Sequence, residues 1–66
     1  MQVSVNGENH ELPENSTVAQ LLSQLQLTGK RIAVELNGEI VPKSQHATTA
    51  LVAGSSLEIV VAVGGG

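Results

Sequence analysis

The sequence predicts an α+β domain in which one helix packs on one face of a mixed sheet of four to five strands. Three observations carry this reading. Apolar and polar residues alternate in short runs near both ends of the chain and in its middle. Only residues 17–25 place apolar side chains at helical spacing. Two Asn-Gly pairs, Asn6-Gly7 and Asn37-Gly38, separate consecutive alternating runs. Both central positions of a type I′ hairpin turn need positive φ, which this pair supplies. A single helix can cover only one face of a small sheet.

Each element has its own warrant. Met1, Val3 and Val5 alternate with Gln2 and Ser4, the period of a half-buried strand. After Asn6-Gly7, His10 and Leu12 alternate with Asn9 and Glu11 in a returning strand that Pro13 ends, and Glu14-Asn15-Ser16 turns the chain. Thr17-Val18-Ala19-Gln20 has the form of a capping box, with the Thr17 hydroxyl and the Gln20 side chain each serving the other's amide. Val18, Leu21, Leu22 and Leu25 then form one apolar stripe. Gly29 is the expected stop, which sets Lys30 and Arg31 near the negative end of the helix dipole. Ile32, Val34 and Leu36 mark a third strand, and Asn37-Gly38 turns it into Glu39-Ile40-Val41. Pro42 to His46 reads as an irregular or short helical turn, and Leu51-Val52 as a short strand or buried anchor. After Ala53-Gly54-Ser55-Ser56, residues 57–62 form the last strand, with Leu57, Ile59 and Val61 on one face and Glu58, Val60 and Ala62 on the other. The helical stripe is expected to meet Val3, Val5, Ile32, Val34, Leu57 and Ile59.

Composition narrows the function. Sixty-six residues make one domain, shorter than the roughly 70–80 at which a core easily carries stability. With 41% apolar residues and no Phe, Tyr or Trp, the core must be Val, Leu, Ile and Ala. A closed catalytic pocket of roughly 300 Å³ or more has little room in such a body, so function belongs on an outer surface or at a terminus. The absence of cysteine excludes disulfides, thiolate metal ligands and a thiol nucleophile, and fits a reducing compartment. Net charge is −3, with only Lys30, Arg31 and Lys43 basic. With no basic patch and no aromatics to stack on bases, nucleic acid is not expected, whereas a partner with a basic surface is. Met1 to Asn6 lack the features of a signal peptide, and no run approaches the ~20 apolar residues of a membrane span, so a cytoplasmic protein is expected.

No side chain suggests catalysis. His10 and His46 lie far apart with no third ligand at useful spacing, so no metal site is expected. Ser44, Ser55 and Ser56 lack a base partner, and Gly29-Lys30 lacks the rest of a phosphate loop. What remains is the end of the chain, Val63-Gly64-Gly65-Gly66. Without Cβ atoms, Gly64 and Gly65 make a thin thread that can enter a channel closed to larger residues. Its tip offers the α-carboxylate of Gly66. Fully extended, residues 63–66 reach at most ~14 Å. The chain therefore divides into a body, 1–63, and a glycine tail, 64–66, expected to lack order in the free protein. Glu58, Val60, Ala62 and Val63, beside the tail, are the expected partner interface, with Glu35 and Glu39 as further steering acids.

The element order, with Met1-Gln2-Val3, Asn6-Gly7-Glu8, Thr17 to Leu22, Ala33 to Lys43 and Leu57 to Gly66, resembles the ubiquitin-like β-grasp sulfur carriers of thiamine biosynthesis. The resemblance covers nearly the whole chain. Two departures are Ala53-Gly54-Ser55-Ser56, where the family often has Asp-Gly-Asp, and Lys43, where it often has arginine. Lysine lacks the bidentate guanidinium fork, which could weaken a partner contact. The resemblance implies a non-catalytic carrier. An E1-like adenylyltransferase, using ATP and Mg²⁺, would adenylate Gly66. A sulfur donor system would convert the adenylate to a thiocarboxylate, and thiazole synthase would take the sulfur for the thiazole ring. The carrier itself would bind no cofactor. Two other readings are the small subunit of molybdopterin synthase, usually longer and with phenylalanines, and a ubiquitin-like protein modifier.

Overall fold

The computed structural model describes residues 1–62. Gln2–Val5 (β1) and Glu8–Glu11 (β2) form the first hairpin, followed by the helix Val18–Gln24 (α1). Ile32–Leu36 (β3) and Glu39–Val41 (β4) form the second hairpin. A 3-10 turn, Lys43–Gln45, and an irregular stretch lead to the last strand, Ser56–Val61 (β5). The five strands make one sheet in the order β2-β1-β5-β3-β4. β5 pairs parallel with β1 and antiparallel with β3, so the sheet is mixed as the alternation and single helix predict. Both Asn-Gly turns place their asparagine and glycine at positive φ, as type I′ geometry demands.

The core is aliphatic, as the composition requires. Val3 and Val5 of β1, Val34 of β3, and Leu57 and Ile59 of β5 meet Val18, Leu21 and Leu22 of α1, with Leu12, Val41 and Leu51 closing the margins. Leu25 and Ile32 pack against this cluster but are half-buried. Leu51 is an anchor rather than a strand: its N–H donates to the Ser16 carbonyl at 2.8 Å and its side chain is buried.

The helix begins as predicted and ends earlier. Gln20 N–H donates to Thr17 Oγ1 at 3.2 Å, and Thr17 N–H donates to Gln20 Oε1 at 2.8 Å, the reciprocal pair of a capping box. The amides of Val18 and Ala19 find the carbonyls of Thr49 and His46. At the other end the chain leaves the helix at Leu25, not near Gly29. Gln26 takes φ +62, Gln26 N–H donates to the Ser23 carbonyl, and Leu27 N–H to the Leu22 carbonyl. This is a Schellman motif built on glutamine, a residue whose Cβ gives no sequence signal for left-handed backbone. Lys30 and Arg31 therefore lie beyond the last turn, which holds no basic residue.

β5 is fastened by the two hairpin turns. The Asn6 side chain donates to the Ile59 carbonyl at 3.0 Å and accepts from the Ile59 N–H at 2.8 Å, prolonging the β1–β5 ladder by one rung. On the other side, Asn37 N–H donates to the Ser56 carbonyl at 2.8 Å and its Oδ1 accepts from the Ser56 N–H at 3.0 Å. Ahead of β5, Gly54 N–H donates to the Gln2 carbonyl, and the buried Ser55 hydroxyl accepts from Val52 N–H. A serine thus closes this turn. Asn6→Ala strips Ile59 of both partners and leaves a methyl side chain at φ +51. The expected loss, read from the urea midpoint, is roughly 1–3 kcal/mol. Asn6→Gly removes the conformational part alone and should recover at most about 1 kcal/mol of it.

Candidate functional site

β5 is the element that leads to the tail, and its alternation separates two surfaces. Leu57 and Ile59 are buried beneath α1, whereas Glu58, Val60 and Ala62 are exposed on the open face of the sheet. Val61 shares the inward side but lies past the end of the helix cover and is 39% exposed. The last described residue is tied down: Ala62 N–H donates to the Arg31 carbonyl at 2.8 Å. Val63, Gly64, Gly65 and Gly66 lie outside the described residues, and with them the expectations placed on the tail.

Strand register adds two residues that the sequence reading passed over. Val60 stands opposite Ala33, and Glu35 stands between Glu58 and Ile40 in adjacent strands. Ala33 and Ile40 therefore join Val60 and Ala62 on the open face. Val60 and Ile40 are each 65% exposed, large for aliphatic side chains on so small a body. Alternation within β3 could have identified Ala33, since Glu35 was already placed outward. Ile40 needed the β3–β4 register. Glu39 departs from expectation: it pairs with Leu36 and so belongs to the opposite side of the sheet from Glu35 and Glu58.

Glu35 and Glu58 are directly opposed across β3 and β5. Like charges in that relation oppose sheet formation, and no cation of the described residues pairs with either. An apolar patch around this acidic pair has the composition that would suit a basic, apolar partner surface. The remaining acids are distributed otherwise. Glu11 and Glu14 flank the Met1 amine at 2.9 and 3.2 Å, and the amine's hydrogen bond and charge hold the Glu11 carboxyl below its ordinary value.

The histidines are separated, His46 being buried with Nε2 at 3.1 Å from the Val41 carbonyl, a structural contact at the β4 end. Among the described residues no three His, Asp or Glu side chains gather as a metal site, and no helix is long and apolar enough to cross a membrane.

Comparison with known proteins bears on the family and the fold. The model of the ThiS family matches residues 3–66. The chain is 44% identical over its full length to a thiazole synthase of Paramagnetospirillum magneticum, of which it spans 20%. It is 32% identical over its full length to the uncharacterized protein ycf40 of Pyropia yezoensis, covering 93% of that protein. The crystal structure of the thiamine biosynthesis protein ThiS from Geobacter metallireducens superimposes with a TM-score of 0.83 at 32% identity, each chain covered completely. The fold is thus the ubiquitin-like β-grasp that the resemblance implied.

Removing one member of the opposed acid pair should stabilise the fold. Glu58→Gln is expected to raise unfolding free energy by ~0.2–1 kcal/mol at low salt. Glu35→Gln added to it should contribute little more, because the repulsion is already gone. Urea titrations of the two single variants and the double variant measure this.

Proposed function

The chain belongs to the ThiS family, and from that premise we propose that it carries sulfur for the thiazole ring of thiamine as a thiocarboxylate on Gly66. A carboxylate is a poor electrophile, since its charge repels nucleophiles and oxide is a poor leaving group. Attack of the Gly66 carboxylate on the α-phosphorus of ATP forms an acyl adenylate and releases pyrophosphate. A persulfide then attacks the carbonyl carbon and AMP departs. A second thiolate cleaves the resulting acyl disulfide, leaving the thiocarboxylate. No cysteine exists here to supply either sulfur, so donor and reducing thiol belong to other proteins.

The observation that carries this reading is the family match running through the terminal glycines to residue 66. An E1-like adenylyltransferase, with its own ATP and Mg²⁺, is the first partner in the proposal. Thiazole synthase is the acceptor, supported by a stretch of a protein of that name being 44% identical to this whole chain. In this reading the protein is a co-substrate, works in the cytoplasm and binds no cofactor. Residues 1–63 form the docking body, and Gly64 and Gly65 pass through the adenylyltransferase channel. Glu58, Val60, Ala62 and Val63, with Ala33 and Ile40, meet the partner outside that channel.

Two experiments test the proposal. Incubation with ATP, the adenylyltransferase and a sulfur source should add the oxygen-to-sulfur mass difference to the intact protein. A Gly66 α-amide should gain nothing. Thiazole formation supported by the amidated protein overturns the carrier reading. Val60→Asp, on the exposed side of β5, should leave the unfolding midpoint near that of the parent. It should raise KM for the carrier in ATP–pyrophosphate exchange by about tenfold, the effect of losing about 1.4 kcal/mol at an interface.

A further inference from the structure

All three basic residues of this acidic chain line a single groove, and none of its six glutamates does. The groove is open, about 450 Å³, and lies between α1, the 27–32 loop and the 43–47 turn, on the helix side of the sheet. Leu22 is buried and Leu27 and Ile32 half-buried within it, while Lys30, Arg31 and Lys43 are exposed around them. Sequence composition alone gave no sign of a basic patch, because Lys43 joins the other two only through folding.

These cations have no structural task in view. The early end of α1 removes Lys30 and Arg31 from its last turn. Among the described residues none of the three forms an ion pair. Three like charges gathered around an apolar groove repel one another, an arrangement that folding does not require. The groove is also continuous with the root of the tail, since Arg31, on its rim, accepts through its carbonyl from Ala62 N–H.

We propose that this groove takes an acidic segment of the adenylylating partner, an apolar side chain flanked by carboxylates, while that partner holds the tail. The proposal rests on the carrier reading above. Charge complementarity and an apolar centre with a charged rim favour a protein segment. A small phosphate ligand would instead want donors converging at a buried point, and these cations are exposed on two separate loops. The open face, with Glu35 and Glu58, and the basic groove present opposite signs on opposite sides of the sheet. A partner reaching both can accept the body in only one orientation, which aims the tail.

The experiment uses the full chain and the adenylyltransferase in ATP–pyrophosphate exchange. The triple variant Lys30→Gln, Arg31→Gln, Lys43→Gln is expected to raise KM for the carrier about tenfold with little change in kcat. For the parent, KM should climb between about 0.1 and about 1 M salt, as the screening length falls from ~10 to ~3 Å, and the variant should lose most of that dependence. A photo-crosslinker at the exposed Ala47 should capture an Asp- or Glu-rich peptide of the enzyme. Unchanged KM in a folded triple variant, or capture of a neutral or basic peptide, overturns the groove proposal and leaves the carrier reading intact. Saturable amide shifts at 28–32 and 43–47 on adding AMP or inorganic phosphate overturn it in favour of a small anion. Absence of any exchange with the parent chain overturns the carrier reading and this proposal together.

Discussion

The whole arrangement depends on β5 lying in the middle of the sheet. Within the sheet it joins the two hairpins: β1 holds it on one side and β3 on the other. Its ladder is completed by side chains where backbone runs out, with Asn6 serving Ile59 and Asn37 serving Ser56. Each asparagine therefore has two duties. Its backbone accepts the left-handed geometry of the turn, and its amide bonds the neighbouring strand. A strand fixed in this way offers a firm base for whatever its end must deliver.

Much of the fold was legible because local signals agreed with one another. Alternation located the strands, the Thr17–Gln20 pair located the helix start, and Asn-Gly located both hairpins. The helix end was misread because glycine at 29 is a visible signal and glutamine in left-handed backbone at 26 is not. The candidate surface was half legible. Parity within β5 puts Glu58, Val60 and Ala62 outward, whereas the faces of Ile40 and Glu39 depend on β3–β4 register, a long-range property. The basic groove was invisible in sequence, since it assembles residues 30 and 31 with residue 43 across a whole hairpin.

Charge is placed unevenly over the body, although Glu39 and Glu8 share the helix side of the sheet with the groove. The open face of the sheet carries an opposed pair of glutamates, and Lys30, Arg31 and Lys43 all line the one groove that no glutamate lines. Interspersed signs would serve solubility equally well and avoid local repulsion. Under the carrier reading, polarity of this kind makes incorrect approaches to a partner unfavourable before any close contact forms.

The parallel pairing of the first strand with the last bears on how the molecule comes into being. Neither hairpin has its central neighbour until residues 56–61 are available, and the pairing joins positions separated by almost the entire chain. Such distant closure is slow and comes late. Until residues 56–61 are present, neither hairpin has the neighbour that joins it to the other in the sheet. A polypeptide cut short before that strand lacks the centre of the sheet and does not make this fold. Maturation of the body and completion of its exit strand are one event.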